Sequence, residues 1–131
     1  MADMMQFDLV SPEKRLASFE ASSVQIPGAD GDLTAMPGHS PVITTLRPGV
    51  VRVQSADGDK SYVVTSGFVE VTAGSVSVIA ERAHAGDEVR KDDLSDLLEE
   101  ARAKAASAEA DQKDGAEKFV ADLVQLLEDM D

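Results

Sequence analysis

Two patterns of hydrophobic spacing divide the chain near Arg90. Before that point apolar and polar residues alternate in short runs, such as Met5–Leu9, and a period of two is that of a half-buried β-strand. Similar runs occupy Val50–Gln54, Ser61–Thr65, Phe68–Thr72 and Ser75–Ile79, and Arg15–Ile26 is a longer, mixed stretch. Asp57-Gly58 and Ala73-Gly74 are turn sequences that would close two hairpins. Short strands broken by Gly or Pro predict a β-sandwich or barrel.

After Arg90 the apolar residues recur at steps of three and four, as on one face of a helix. A first helix is predicted with Leu94, Leu98, Ala101, Ala105 and Ala108 on one face and with Asp92 or Asp93 as its N-cap. The polar run 111–115 breaks the pattern, and a second helix is predicted from Ala116 to Met130. Its apolar face would hold Ala116, Phe119, Val120, Leu123, Leu126, Leu127 and Met130. We therefore expect a β-sandwich domain over residues 1–87 and an antiparallel helical hairpin over residues 88–131.

The charge balance limits the classes of partner. Asp and Glu number 25 against 12 Lys and Arg, and the net charge of −13 divides into −5 up to residue 90 and −8 beyond it. Such an acidic chain is a poor ligand for nucleic acid or for an anionic membrane surface. It has no signal-peptide pattern and no apolar run near the roughly 18 residues of a membrane helix. Any membrane association is expected to go through a partner.

Candidate catalytic chemistry is sparse. The chain has no Cys, which excludes thiolate catalysis and Cys-based metal sites, and neither His39 nor His84 lies in a cluster with metal-ligand spacing. Neither common phosphate-binding loop is present, and Ser66-Gly67 lacks the flanking pattern of a nucleophile elbow. These absences favour a scaffold or interaction role without catalysis, metal or cofactor.

The Gly- and Pro-rich segment Gly28–Pro41 is the most unusual stretch. One interpretation is a pair of tight turns flanking a short strand. The other is a stiff, exposed loop that presents Asp30, Asp32 and His39 to a partner, since Pro lowers the entropic cost of ordering a loop.

That segment carries a resemblance to a known family. Gly31-Asp32-Leu33, Pro37-Gly38-His39-Ser40-Pro41 and Pro48-Gly49 resemble, in order and spacing, the signature of the epsilon subunits of bacterial F-type ATP synthases. A second signature of that family is similar to Ser66–Val71, with Ser66 where Gly is usual, and Val76–Ala80 matches the strand that follows it. Phe7–Pro12 also fits, so the likeness covers essentially residues 5–85.

The resemblance implies a ten-stranded β-sandwich followed by two helices. It also implies a non-catalytic rotor subunit of the central stalk, peripheral on the cytoplasmic face of the bacterial inner membrane. Such a subunit binds the gamma subunit and the ring of c subunits, below the alpha/beta catalytic head, and couples proton-driven rotation to ATP synthesis. The positions that the resemblance assigns to the c ring are Asp30, Gly31, Asp32 and His39, and those expected to contact gamma are Pro41, Val42, Leu46 and Phe68.

The helical domain of this family regulates hydrolysis in some bacteria, where basic residues meet an acidic segment of the beta subunit. From Phe119 onward this chain has four acidic residues and no basic one, so we expect weak inhibition or none. Some members bind ATP through a motif whose nearest match here is Leu98-Glu99-Glu100-Ala101-Arg102-Ala103. Glu99 stands where Asp is usual in that motif, and the second helix has no Arg. We therefore do not expect ATP binding.

Two alternatives to the rotor subunit stay open at this point. One is a stand-alone ligand-binding β-sandwich with a helical oligomerisation hairpin, which would purify without gamma or c subunits. The other, a cupin-like enzyme, is disfavoured because the sequence lacks a cluster of metal ligands.

Overall fold

A computed structural model of the chain describes residues 4–86 and 91–129, which form ten β-strands and two α-helices. The strands are β1 (Met5–Val10), β2 (Arg15–Ala21), β3 (Ser23–Gly28), β4 (Gly31–Ala35), β5 (Val42–Leu46), β6 (Gly49–Ser55), β7 (Gly58–Val64), β8 (Gly67–Val71), β9 (Ser75–Ala80) and β10 (Ala83–Ala85). The helices are α1 (Lys91–Ser107) and α2 (Ala110–Asp129). The chain divides into two compact units, one up to residue 88 and one from residue 89.

The ten strands form one strongly curved sheet that packs on itself as a sandwich. Their order is β10-β7-β6-β3-β5-β8-β9-β1-β2, with β4 paired to the other side of β3. Neighbouring strands are antiparallel except β1 and β9, which are parallel. The predicted β-sandwich followed by two helices is confirmed.

The sandwich core follows from the alternation in the sequence. Along β1, Met5, Phe7 and Leu9 are buried, whereas Gln6 is exposed. Phe7 lies at the centre of the few aromatic contacts, with its ring centroid 5.5 Å from that of Phe19 and 6.0 Å from that of Tyr62. Valines on the inward faces of β6, β8 and β9 fill most of the remaining core.

The long stretch Arg15–Ile26 is two strands rather than one. Ser22 separates β2 from β3, and its backbone N–H donates to the carbonyl of Gln54 at 2.8 Å. β2 pairs with β1, whereas β3 pairs with β4, β5 and β6, so the chain crosses between the two layers at this point. Inward apolar residues lie on both sides of the crossing, which is why the hydrophobic pattern alone does not show it.

The helical unit is an antiparallel hairpin with a shorter connection than the sequence predicts. The predicted break over residues 111–115 is wrong, because these residues lie inside α2, and Ala108 lies in the connection with Glu109 instead of on the first helix. The Gln112 N–H donates to the Glu109 carbonyl at 2.9 Å and closes the first turn of α2.

Other details of the hairpin also differ from expectation. Asp92 and Asp93 both lie within α1, which includes Lys91, so neither is the N-cap. Leu94, Ala101, Ala105, Leu123 and Leu126 are buried, as their spacing predicts. Met130 and the predicted domain boundary between residues 87 and 88 lie outside the described residues.

Candidate interaction surfaces

The turn between β3 and β4 is an exposed, acidic hairpin tip. We call residues 28–32 the β3–β4 tip. Gly28 pairs with Gly31, and Gly31 has a φ of 137°, a backbone conformation that favours glycine. A Cβ on Gly28 would lie 2.6 Å from the carbonyl oxygen of Gly31, so the close approach requires glycine at position 28, whereas the backbone angle favours it at position 31. Asp30 is exposed and has no hydrogen bond or ion pair with any residue that the structure describes.

Arg47 holds the β3–β4 tip from the end of β5. Its guanidinium forms an ion pair through Nη2 with Oδ1 of Asp32, and its Nη1 donates to the carbonyl oxygen of Gly28 at 3.3 Å. The Arg47 backbone N–H donates to the Pro27 carbonyl at 3.0 Å. The Ala29 N–H donates to the Thr45 carbonyl at 2.9 Å. The tip is therefore joined to the end of β5 by both backbone and side-chain bonds.

His39 lies at the far end of β4 from the tip. It follows Gly38, whose φ is 89° and whose N–H donates to the Ala73 carbonyl at 2.9 Å. The His39 Nδ1 lies 2.6 Å from the carbonyl oxygen of Ser40. Because a carbonyl oxygen can only accept a hydrogen bond, Nδ1 is the donor. Beyond Asp32, β4 continues for three residues to Ala35, about 10 Å at ~3.3 Å per residue, before this loop begins. The structure thus brings Asp30, Gly31 and Asp32 together but does not place His39 with them.

Three exposed apolar side chains lie among polar ones on the outer side of β5, β8 and β9. Ile43 is 68% exposed, Phe68 42% and Ile79 38%. Phe68 lies directly opposite Ile79, and Ile43 is opposite Glu70, one diagonal step from Phe68. We call these three residues the Phe68 face. Exposed large apolar side chains that share one side of a sheet are typical of a protein–protein contact.

The four residues expected at a gamma contact do not share this face. Phe68 is on it, and Pro41 is exposed in the loop before β5. Val42 packs partly against the core and Leu46 is only 6% exposed, so both point to the interior. Strand alternation is the sequence signal that indicates the exposed residues instead. It places Ile43 on the outer side of β5, and Ile79 on the outer side of β9 next to buried Val78.

The segment Leu98–Ala103 lies on α1, with Ala101 buried and Leu98 half-buried. Glu99 and Arg102, its two polar candidates for a nucleotide contact, are both exposed. α2 contains no Arg along its described length. Within the described helices, the nucleotide motif therefore has an arginine on α1 but none on α2 to share a phosphate contact.

One further recess lies on the sandwich. A polar recess of about 310 Å³ lies over β3, β6 and β7 and includes Gln25, Arg52 and Ser61. Among residues 4–86 and 91–129 no group of three His, Asp or Glu residues could hold a metal ion. No helix in that same part of the chain is long and apolar enough to span a membrane.

Comparisons with known proteins agree on one family. Residues 4–86 match the family described as ATP synthase, delta/epsilon chain, beta-sandwich domain. The ATP synthase epsilon chain of Fuscovulum blasticum is 58% identical over 94% of this chain and 93% of its own length. That of Jannaschia sp. (strain CCS1) is 52% identical over 95% of this chain and 94% of its own.

Solved structures share the fold at lower identity. A chain of the Euglena gracilis mitochondrial ATP synthase, in a structure of OSCP, F1 and c-ring, has a TM-score of 0.72 and 24% identity. The match covers 96% of this chain and 80% of that one. A chain in the central stalk and c-ring structure of the Tetrahymena thermophila enzyme has a TM-score of 0.66 and 19% identity, with 97% and 96% covered.

Proposed function

Because the chain belongs to the family of ATP synthase epsilon chains, we propose that it is a rotor subunit that joins the gamma subunit to the ring of c subunits. As a member of that family it is a non-catalytic stalk subunit of ATP synthase. The observation that supports this proposal is that the sandwich carries two exposed surfaces of different chemistry, one apolar and one acidic. A subunit that transmits rotation needs two such attachments.

The Phe68 face is the surface that we assign to the gamma subunit. Its apolar side chains project from paired strands, so their positions are fixed before binding and little entropy is lost on association. Phe68 is the largest of them and the natural anchor of a contact whose binding energy is concentrated in a few residues. Ile43 and Ile79 flank it.

A binding measurement with isolated gamma subunit tests this assignment. Replacing both Ile43 and Phe68 by Ser should weaken binding by tenfold or more, since loss of a buried anchor costs about 2 kcal/mol. Gln54→Ala, at an exposed position on β6, is the matched control and should bind as the wild type does. Both positions of the double variant are exposed, so its melting temperature should change little. Unchanged binding by a folded double variant would remove the Phe68 face from the proposal.

The β3–β4 tip is the surface that we assign to the c ring. Asp30 is exposed, acidic and without a partner among the described residues, and the tip around it is braced. A fixed carboxylate suits a cationic side chain on a polar loop of the ring, because opposite charges raise the association rate and set the register. Contact with the ring would hold the chain on the cytoplasmic side of the membrane without a membrane span of its own.

For the helical hairpin we propose weak or absent inhibition of the alpha/beta head. α2 has no basic residue in its last turn, and Lys118, the last cation in the sequence, forms a 3.2 Å ion pair with Asp122. An acidic helix end is repelled by an acidic target. Relief of inhibition on removal of the hairpin is the property to measure.

We also propose that the hairpin does not bind Mg-ATP at micromolar concentrations. A triphosphate needs several converging cations, and Arg102 on α1 has no arginine counterpart on α2 within the described residues. Calorimetric titration of the whole chain with Mg-ATP should give no heat beyond dilution. A micromolar dissociation constant that is lost in Arg102→Ala would contradict this proposal.

A further inference from the structure

Two carboxylates of the β3–β4 tip differ in what surrounds them. The Asp32 carboxylate is paired with the Arg47 guanidinium, whereas the Asp30 carboxylate has no partner among the described residues. The two acids are only two positions apart in the sequence, and their charges look equivalent there. In the folded chain one negative charge is compensated internally and the other faces solvent.

Arg47 reaches both strands of the hairpin. Its side chain contacts the Gly28 carbonyl, at the end of β3, and the Asp32 carboxylate, at the start of β4. Its side chain is 29% exposed, so much of it is covered by neighbouring atoms. A planar guanidinium with several fixed donors can join two acceptors at once, which a lysine ammonium does less well.

The contacts of Arg47 matter at the tip because the glycines there make the backbone costly to order. Within the part of the chain that the structure describes, β4 pairs with β3 alone, and glycine begins β4 and ends β3. Glycine loses more conformational freedom on ordering than other residues do. The Asp32 carboxylate is 76% exposed, so its ion pair with Arg47 contributes little to overall stability. The main effect of this ion pair is therefore to order the tip locally.

We propose that Arg47 and Asp32 form an internal clasp that positions the β3–β4 tip, so that Asp30 is the carboxylate presented to a cationic partner side chain. Arg47 is then a positioning residue and Asp32 its anchor. This inference rests on the proposed ring contact. It gives different roles to Asp30 and Asp32, which the family resemblance assigns to the same contact. Asp32, whose charge is already paired with Arg47, then has a supporting role at the tip.

Amide hydrogen exchange on the isolated full-length chain tests the clasp without any partner. Arg47→Gln and Asp32→Asn should each raise the exchange rate of the amides of residues 29–33, and the double variant should exchange no faster than either single one. Exchanging the two charges, as Asp32→Arg with Arg47→Asp, should restore much of the protection. Equal exchange in wild type and both single variants would show that there is no clasp.

Binding to purified c ring at low ionic strength tests which acid is presented. Asp30→Asn should lower affinity about fivefold, the loss of one partly exposed ion pair, and should flatten the salt dependence. Asp32→Asn and Arg47→Gln should lower the affinity less and keep the wild-type salt dependence. The charge-exchanged variant should bind nearly as well as wild type, because Asp30 is unchanged and the tip is ordered.

The opposite pattern of binding overturns the proposal. If Asp32 were the direct ligand, the charge-exchanged variant would place Arg against the partner cation and would bind worse than Asp32→Asn. A different result separates the failure of the proposed ring contact from that of the clasp. If exchange responds as expected but Asp30→Asn binds the ring as tightly as wild type, the ring contact at the tip is wrong and the presenting role of Asp30 is wrong with it.

Discussion

Gly67 shows how strongly one residue can be fixed by the path of the backbone. It begins β8 with a φ of 139°, and a Cβ there would overlap the carbonyl oxygen of Ile79 on β9. Both the backbone angle and the close approach exclude any side chain. The neighbouring Ser66, by contrast, stands where glycine is usual in this family and donates from its hydroxyl to Glu81 at 2.7 Å.

Gly67→Ala should therefore be strongly destabilising. We expect a loss of about 2–4 kcal/mol in the free energy of unfolding, in the range of substitutions that strain the backbone. Gly74→Ala is the control, because Gly74 lies in a turn with no atom near its Cβ position and without a positive φ. Urea denaturation of the two variants measures the difference. Equal stability would mean that β8 and β9 do not approach as closely as described.

At the scale of elements, the strands could be predicted from the sequence more completely than the helices. Alternation predicts β1, β6, β8 and β9, because one face of each is buried in the sandwich. β7 does not alternate, since Tyr62, Val63 and Val64 are all buried, and it is predicted by its place after the Asp57-Gly58 turn. The polar run 111–115 predicts a break that the structure does not have, because the low helix propensity of Gly115 is overcome by the packing of α2 on α1. The Arg47–Asp32 pair could not be predicted, since it depends on which strands end side by side.

Gly115→Ala tests whether α2 continues through the polar run. In a helix the substitution should stabilise the hairpin by about 1 kcal/mol, because alanine has the higher helix propensity and no atom lies near the Cβ position. Ala121→Gly, at an exposed position of α2, should lower stability by a similar amount. Thermal unfolding followed by circular dichroism at 222 nm measures both. If residues 111–115 were a loop, Gly115→Ala would leave helicity and stability unchanged.

For the whole molecule, most of the negative charge lies on the helical hairpin and not on the sandwich that carries the two proposed attachment surfaces. Residues 91–131 carry −8 of the net −13, and they form the hairpin for which we propose weak or absent inhibition of hydrolysis. Truncation after residue 90 should leave the ATP hydrolysis rate of the reassembled complex within about twofold of the full-length rate, since no basic end is lost. A several-fold rise on truncation would show that the hairpin inhibits despite its charge.

The rotor proposal as a whole depends on two attachments acting together. Membranes whose ATP synthase has been depleted of this subunit provide the direct assay, with ATP-driven proton pumping followed by quenching of a pH-sensitive dye. Added wild-type chain should restore pumping. The Ile43→Ser, Phe68→Ser double variant should restore it poorly at the same concentration, whereas Gln54→Ala should act as wild type. If pumping stays absent and the added chain remains in solution as a free oligomer, the chain is not the link between gamma and the ring.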